Sequence, residues 1–249
     1  MVAPLLFAVT LIQGREPLYA SSVVDTDFDF IRETDRSVLE SVAFVEKGVA
    51  EMPDKVATQE LMQPAYQFRA AYKDGVRVDF YVSERAGAQA VAQNYVDLAA
   101  IRLGRIPHVL RRGVNRVVIN EGDATAFSDI GLIVLYTKNM GKRISTHDLE
   151  ETIFHESVHA TWDKAHAEAA GWVSAQRSDP GFLTNYGRTH PKGEDLAETA
   201  LFAVTMVHHP DRLPEDVKAQ VRAQVPARLA YISKLFPAGT DWHGPAGKL

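Results

Sequence analysis

Residues 151–163 read ETIFHESVHATWD, and inside them His155, Glu156 and His159 stand in the order His-Glu-x-x-His. On a helix, residues four apart project from one face, so His155 and His159 bring two imidazoles to a common point. Glu156 projects beside them, close enough to reach a water held there but offset from direct ligation. Two ligands and a general base on one rigid element is an arrangement suited to zinc hydrolysis. Without a metal the same residues are an ordinary helix carrying two of the chain's nine histidines. The spacing supplies two ligands and a base, which is less than a site.

A catalytic zinc takes three protein ligands and leaves one position open. The chain has no cysteine, so only histidine and carboxylate ligands are available. A third histidine at the metzincin spacing is ruled out, because positions 162 and 165 hold Trp162 and Ala165, with His166 one place late. Asp163 is one turn beyond His159 on the same helix. A straight helix carries it past the metal, into a supporting or packing role. GEDLAETA, further along, holds Glu194 and Glu198, again four apart on a helical stretch. One of the pair can ligate while the other accepts the free N–H of a ligand imidazole and fixes its orientation.

A His-Glu-x-x-His helix followed by a Glu-x-x-x-Asp/Glu helix resembles the gluzincin metallopeptidases. The segment LTNYGRTHPKGEDLAETALFAVTMVHHPDRL is similar to the corresponding segment of the anthrax lethal factor protease domain, which also carries Tyr-Gly-Arg-Thr shortly before its glutamate helix. The similarity covers about sixty residues, 151–213, and none of the N-terminal half. It implies Glu194 as the third zinc ligand, Glu198 as the acid that orients a histidine, and Tyr186 as the catalytic tyrosine that assists the oxyanion and leaving group. The step from Tyr186 to Glu194 is one residue longer here. Elsewhere, Arg188, His166 and His190 read as structural or surface residues, Trp162 and Trp172 as core, and His208-His209 before Pro210 as a helix end.

The elements that must hold these residues follow from patterning. AYQFRAAY and VRVDFYV, at 65–72 and 76–82, read as a hairpin around the turn signal KDG. Residues 86–104 are rich in Ala, Leu and Gln, are apolar at helical spacing and end at Gly104, which predicts a helix. VNRVVIN and GLIVLYT, at 114–120 and 131–137, are β-branched runs bounded by Gly and Asn and read as strands. GLIVLYT is the candidate for pairing with an extended peptide, by analogy with zincin folds. The histidine helix is expected over 145–165, with Ser145 and Asp148 as its N-cap signature and acids in its first turn. Residues 25–62, including SVLESVAFVEKGV, look helical or irregular. Beyond Pro180-Gly181 the chain reads as helical, at 194–209 and at 214–236 with a break at Pro226.

Composition bounds the rest. With 249 residues, 46% hydrophobic and 24% charged, the chain can bury a substantial core. A net charge of −5 gives no reason to expect a nucleic acid or an anionic membrane as partner. Arg102, Arg105, Arg111, Arg112 and Arg116 read as a solvated basic edge, with an anionic substrate or wall polymer as the other reading. VAPLLFAVTLI, at 2–12, is too short to span a bilayer. It suits a signal-peptide core, with LYASS as a cleavage region, or a buried element.

The expectation is therefore an α+β, zincin-like fold: a small mixed sheet, an active-site helix and a helical C-terminal part. Residues 1–20 form a signal peptide or N-terminal segment, and 21–249 one catalytic domain, α/β to about 164 and helical over 165–249. The expected function is a zinc peptidase with one Zn²⁺ per chain, held by His155, His159 and Glu194. Glu156 and Tyr186 are catalytic, with Glu198 and Asp163 supporting. A protein or peptide is the substrate, with no nucleic acid and no stable membrane insertion, and export is favoured over a cytoplasmic location. The alternatives are a metal- and partner-binding domain with little turnover, against which Glu156 argues, and a zinc amidase acting on a cell-wall polymer.

Overall fold

The computed structural model describes residues 14–24, 26–56 and 61–245. The apolar run at 2–12 lies outside them. After an extended N-terminal segment come strands β1 (Leu39–Glu51), β2 (Met62–Tyr72) and β3 (Arg77–Ser83), then helices α1 (Gln89–Leu103) and α2 (His108–Arg111). Next come β4 (Arg116–Asn120), β5 (Phe127–Asp129) and β6 (Leu132–Tyr136), and helices α3 (Thr137–Ser145) and α4 (Leu149–His166). The remainder is helical: α5 (Ala170–Ser178), α6 (Asn185–Thr189), α7 (Asp195–His208), α8 (Glu215–Gln224) and α9 (Pro226–Leu235).

The fold is α+β, with six strands in one mixed sheet of order β1-β2-β3-β4-β6-β5. Strands β1, β2 and β3 are antiparallel neighbours, β3, β4 and β6 run parallel, and β5 returns antiparallel to β6. The parallel step from β3 to β4 needs a crossover, which α1 and α2 supply. The main core lies between the sheet and the helices. Phe68, Phe80, Val96, Phe154 and Trp172 are each 1% exposed or less there. Each such side chain contributes about 1.5–3 kcal/mol through its removal from water. No helix among the described residues is long and apolar enough to cross a membrane.

Four expectations are corrected. SVLESVAFVEKGV is strand β1, not helical or irregular. Among the described residues it is an edge strand that pairs only with β2, and it leaves Phe44, Val45 and Val49 exposed, so no buried-and-exposed alternation marks it. The histidine helix begins after Asp148 rather than at Ser145. Ser145 ends a separate helix, α3, and its hydroxyl donates to the Lys142 carbonyl at 2.7 Å. Three of the five arginines are not a solvated edge: Arg102, Arg105 and Arg111 are 5%, 9% and 0% exposed, while Arg112 is exposed and Arg116 half-buried as that reading expects. Arg102 and Arg105 flank the buried Glu150 carboxylate, and Arg111 pairs with buried Asp74. Finally, β6 lies between β4 and β5, so its backbone groups are already paired and β5 is the edge at this end of the sheet. The hairpin, the helix ending at Gly104, β4 and the break at Pro226 lie as expected.

The placement of β5 is set from α4. Gly131, at φ +71° in the β5–β6 turn, donates its N–H to the Ala160 carbonyl of α4 at 2.9 Å. A side chain at Gly113 would collide with Thr161 of the same helix, so the loop after α2 also comes close to α4. The first turn of α4 is buried with its acids. Glu150 meets the two arginines, while Glu151 accepts the Ile31 N–H at 3.0 Å and leaves its other oxygen unpartnered.

Burial, reinforced by Glu150 and Asp148, pushes the Glu151 carboxyl up to about 8 from an ordinary 4.5. The folded protein keeps this proton in a window where the unfolded chain has lost it, so stability falls as pH rises from 4.5 to 8. Glu151→Gln cannot ionise. Chemical unfolding should show it gaining on the wild type by more than about 1 kcal/mol between pH 5 and pH 8. A constant difference across that range would contradict the assignment.

Candidate metal centre

Helix α4 turns two faces to different neighbours. Ile153, Phe154, Val158 and Trp162 are buried in the core. Thr152, His155, Glu156, His159 and Asp163, spaced three and four apart, line a cleft of about 810 Å³. The opposite wall comes from the start of α7 and from α6, and one rim from β5.

Glu194 immediately precedes α7, and its place is fixed by its neighbour. Asp195, 1% exposed, pairs with Arg228 of α9 at 3.1 Å and accepts from Gln176 of α5 at 2.7 Å. Arg228 is itself 0% exposed and also pairs with Asp179 at 3.3 Å. Helices α5 and α9 thus clamp the entry to α7. The rest of α7 is largely apolar and buried, Ala197, Ala200, Leu201 and Val204 included, and the helix packs on α4.

That packing brings together residues 39 positions apart in the chain. The two Nε2 atoms of His155 and His159 are 3.1 Å apart, and Glu194 Oε2 lies 3.2 Å from each. These three atoms form a nearly equilateral triangle, and the group can hold a metal ion. Each imidazole is backed by a carboxylate on its other nitrogen. His159 Nδ1 lies 2.6 Å from Asp163 Oδ2, and His155 Nδ1, buried and without a hydrogen bond, lies at ion-pair distance, 3.5 Å, from Glu198 Oε1. Such partners set the tautomer and orientation of a metal-bound imidazole.

Charge is concentrated at this point. Burial opposes charge on His159, but the Asp163 and Glu194 carboxylates outweigh it and push the ring up to about 10. Burial likewise opposes charge on Glu194, and the two histidines overcome it, holding the carboxyl below the ordinary range. Tyr186, on α6, is 40% exposed and lines the same cleft. Partial burial and then the Glu194 carboxylate raise its phenol above the ordinary tyrosine value, so it stays a proton donor at neutral pH.

All seven residues singled out in the sequence therefore meet in one place. Three others belong to the site without a sequence signal. Ser128, on β5, donates its hydroxyl to Glu156 Oε2 at 2.5 Å. Ser21 and Ser22, in the N-terminal segment, donate to Glu198. Only tertiary proximity identifies them. His166 is outside the cleft and bonds the Tyr231 hydroxyl at 2.9 Å. Arg188 pairs with Glu16 at 2.7 Å, and the His190 ring stands 5.0 Å from that of Tyr186. Comparison with protein-family models, curated proteins and solved structures finds no match for this chain.

A metal takes the neutral imidazole, so binding must displace the proton that the carboxylates hold on His159. Calorimetric titration with a divalent metal at pH 7, repeated in buffers of different ionisation enthalpy, should show release of about one proton per ion. Affinity should rise between pH 7 and pH 9. Binding without proton release would contradict the charge state assigned to His159.

Proposed function

We propose that this chain is a zinc-dependent peptidase of gluzincin type with a zincin-like fold. The observation that carries the reading is the triangle of His155, His159 and Glu194, with Glu156 on the same helical face and held by Ser128. Zinc bonds of 2.0–2.1 Å in tetrahedral geometry require ligand atoms about 3.3 Å apart. The separations of 3.1 to 3.2 Å fit that requirement. The donor set, two imidazoles and one carboxylate, is that of catalytic rather than structural zinc, which favours four protein ligands. Bound there, zinc would act as a Lewis acid, making a water acidic near neutral pH and polarising a carbonyl.

The chain's own residues would do the following. Glu156 accepts the proton of the attacking water and delivers it to the departing amine. Ser128 fixes the Glu156 carboxylate through one oxygen, leaving the other for that proton. Tyr186 donates its hydroxyl to the carbonyl oxygen as negative charge develops there. Asp163 and Glu198 hold the two imidazoles in place. An extended peptide would run beside β5, the sheet edge that borders the cleft, and pair with its backbone. The buried pairing of Arg102, Arg105 and Arg111 weakens the case for an anionic wall polymer, and a peptide is the preferred substrate.

Glu156→Gln should keep the metal at one ion per chain and lower cleavage of casein or a peptide library by about 10²–10⁴-fold. Tyr186→Phe should lower kcat more than it raises KM. Wild-type cleavage rates in metal-loaded Glu156→Gln would refute the mechanism.

A further inference from the structure

Residues 1–20 read in the sequence as a signal peptide cut near LYASS or as a buried N-terminal element, and the described part of this segment is built into the site. Leu18 N–H donates to the Leu183 carbonyl at 2.9 Å. Asn185 and Tyr186, the first residues of α6, donate their N–H groups to the carbonyls of Tyr19 and Ala20 at 2.8 and 3.0 Å. The Tyr19 ring stacks on Phe202 of α7 at 5.2 Å. Upstream, Arg15 N–H donates to the Pro180 carbonyl at 2.9 Å, and Gln224 donates to the Glu16 carbonyl at 2.9 Å. Of the helices contacted, α6 and α7 carry the site residues Tyr186 and Glu198.

The contact with most consequence is at Ser22, which is 0% exposed. Its backbone N–H donates to Glu198 Oε2 at 2.7 Å, and the Ser21 hydroxyl donates to Glu198 Oε1 at 3.2 Å. Glu198, 1% exposed, is the carboxylate behind His155 Nδ1. A buried carboxylate needs donors, and two donors on its two oxygens fix its rotation. The series runs from Ser22 and Ser21 to Glu198, to His155, and to the metal position.

We propose that Tyr19–Ser22 is a positioning element of the metal centre that acts through Glu198 on His155. The inference rests on His155 being a metal ligand, and it adds that this ligand is set from the N-terminal segment. Loss of such an outer carboxylate contact typically weakens metal binding by 10–100-fold. A break after Ala20 would separate Ser21 and Ser22 from the residues that anchor them on α6.

The test compares zinc affinity, by competition with a chromophoric chelator, and the visible spectrum of the cobalt-substituted protein. Ser22→Pro removes the N–H, while Ser22→Ala keeps it and loses only a hydroxyl that has no partner. Ser22→Pro should bind zinc about 10–100-fold more weakly and alter the cobalt spectrum, with Ser22→Ala matching the wild type. If Ser22→Pro does not fold, Ser21→Ala decides. It should weaken zinc several-fold at unchanged apoprotein melting temperature, and Ser21→Thr should restore the affinity. Equal zinc affinity and identical cobalt spectra across the series would overturn the positioning role while leaving the metal site standing. A wild type that binds no metal would overturn the metal reading and this inference with it.

Discussion

Three atoms, two from α4 and one from the residue that caps α7, must come within 3.2 Å of one another, and the rest of the molecule is arranged around that requirement. Two imidazoles and a carboxylate in a half-buried cleft are costly to bring together. The attraction between His159 and its two carboxylates offsets part of that cost, and the packing of α4 on α7 supplies the remainder. Both helices are nearly encased. Most of α4 from Leu149 to Trp162 is buried, as is α7 from Asp195 to Thr205. A helix buried on every side has few ways to rotate, so the register of its polar face is set by its apolar ones.

The supports are distributed unequally. His159 draws its second carboxylate from its own helix, through Asp163 one turn on. His155 draws its own from α7, through Glu198, so its orientation depends on the interhelical packing and on whatever holds Glu198. Glu156 is set from a third element, since the β5–β6 hairpin is pinned to α4 by Gly131 and then presents Ser128. Each working side chain is thus held by a different layer of the structure. The clamp of Asp195 by Arg228 ties the helical half to the entry of α7 in the same manner.

The local parts of this arrangement were legible in the sequence. The histidine pair, Asp163 and the Glu194–Glu198 pair are each spaced along one helix, where four residues separate groups on one face. Tyr186 was legible only by resemblance. What escaped were features made by distant neighbours. Strand β1 is exposed along most of its length, and its extended form comes from pairing with β2, so its residues carry no period. Helix α3 follows β6 without an intervening loop and could not be told from the end of the strand. The arginines resembled a surface because their partners, Asp74 and Glu150, come from other elements. Ser128, Ser21 and Ser22 are ordinary serines whose roles exist only through residues far along the chain.

X-ray absorption at the zinc edge of the metal-loaded protein addresses the central claim most directly. The account predicts two imidazole nitrogens and oxygen donors at about 2.0–2.2 Å, with one position left to solvent. His155→Ala should remove one nitrogen from that shell. A zinc closed by four protein ligands, or a shell unchanged by His155→Ala, would contradict it.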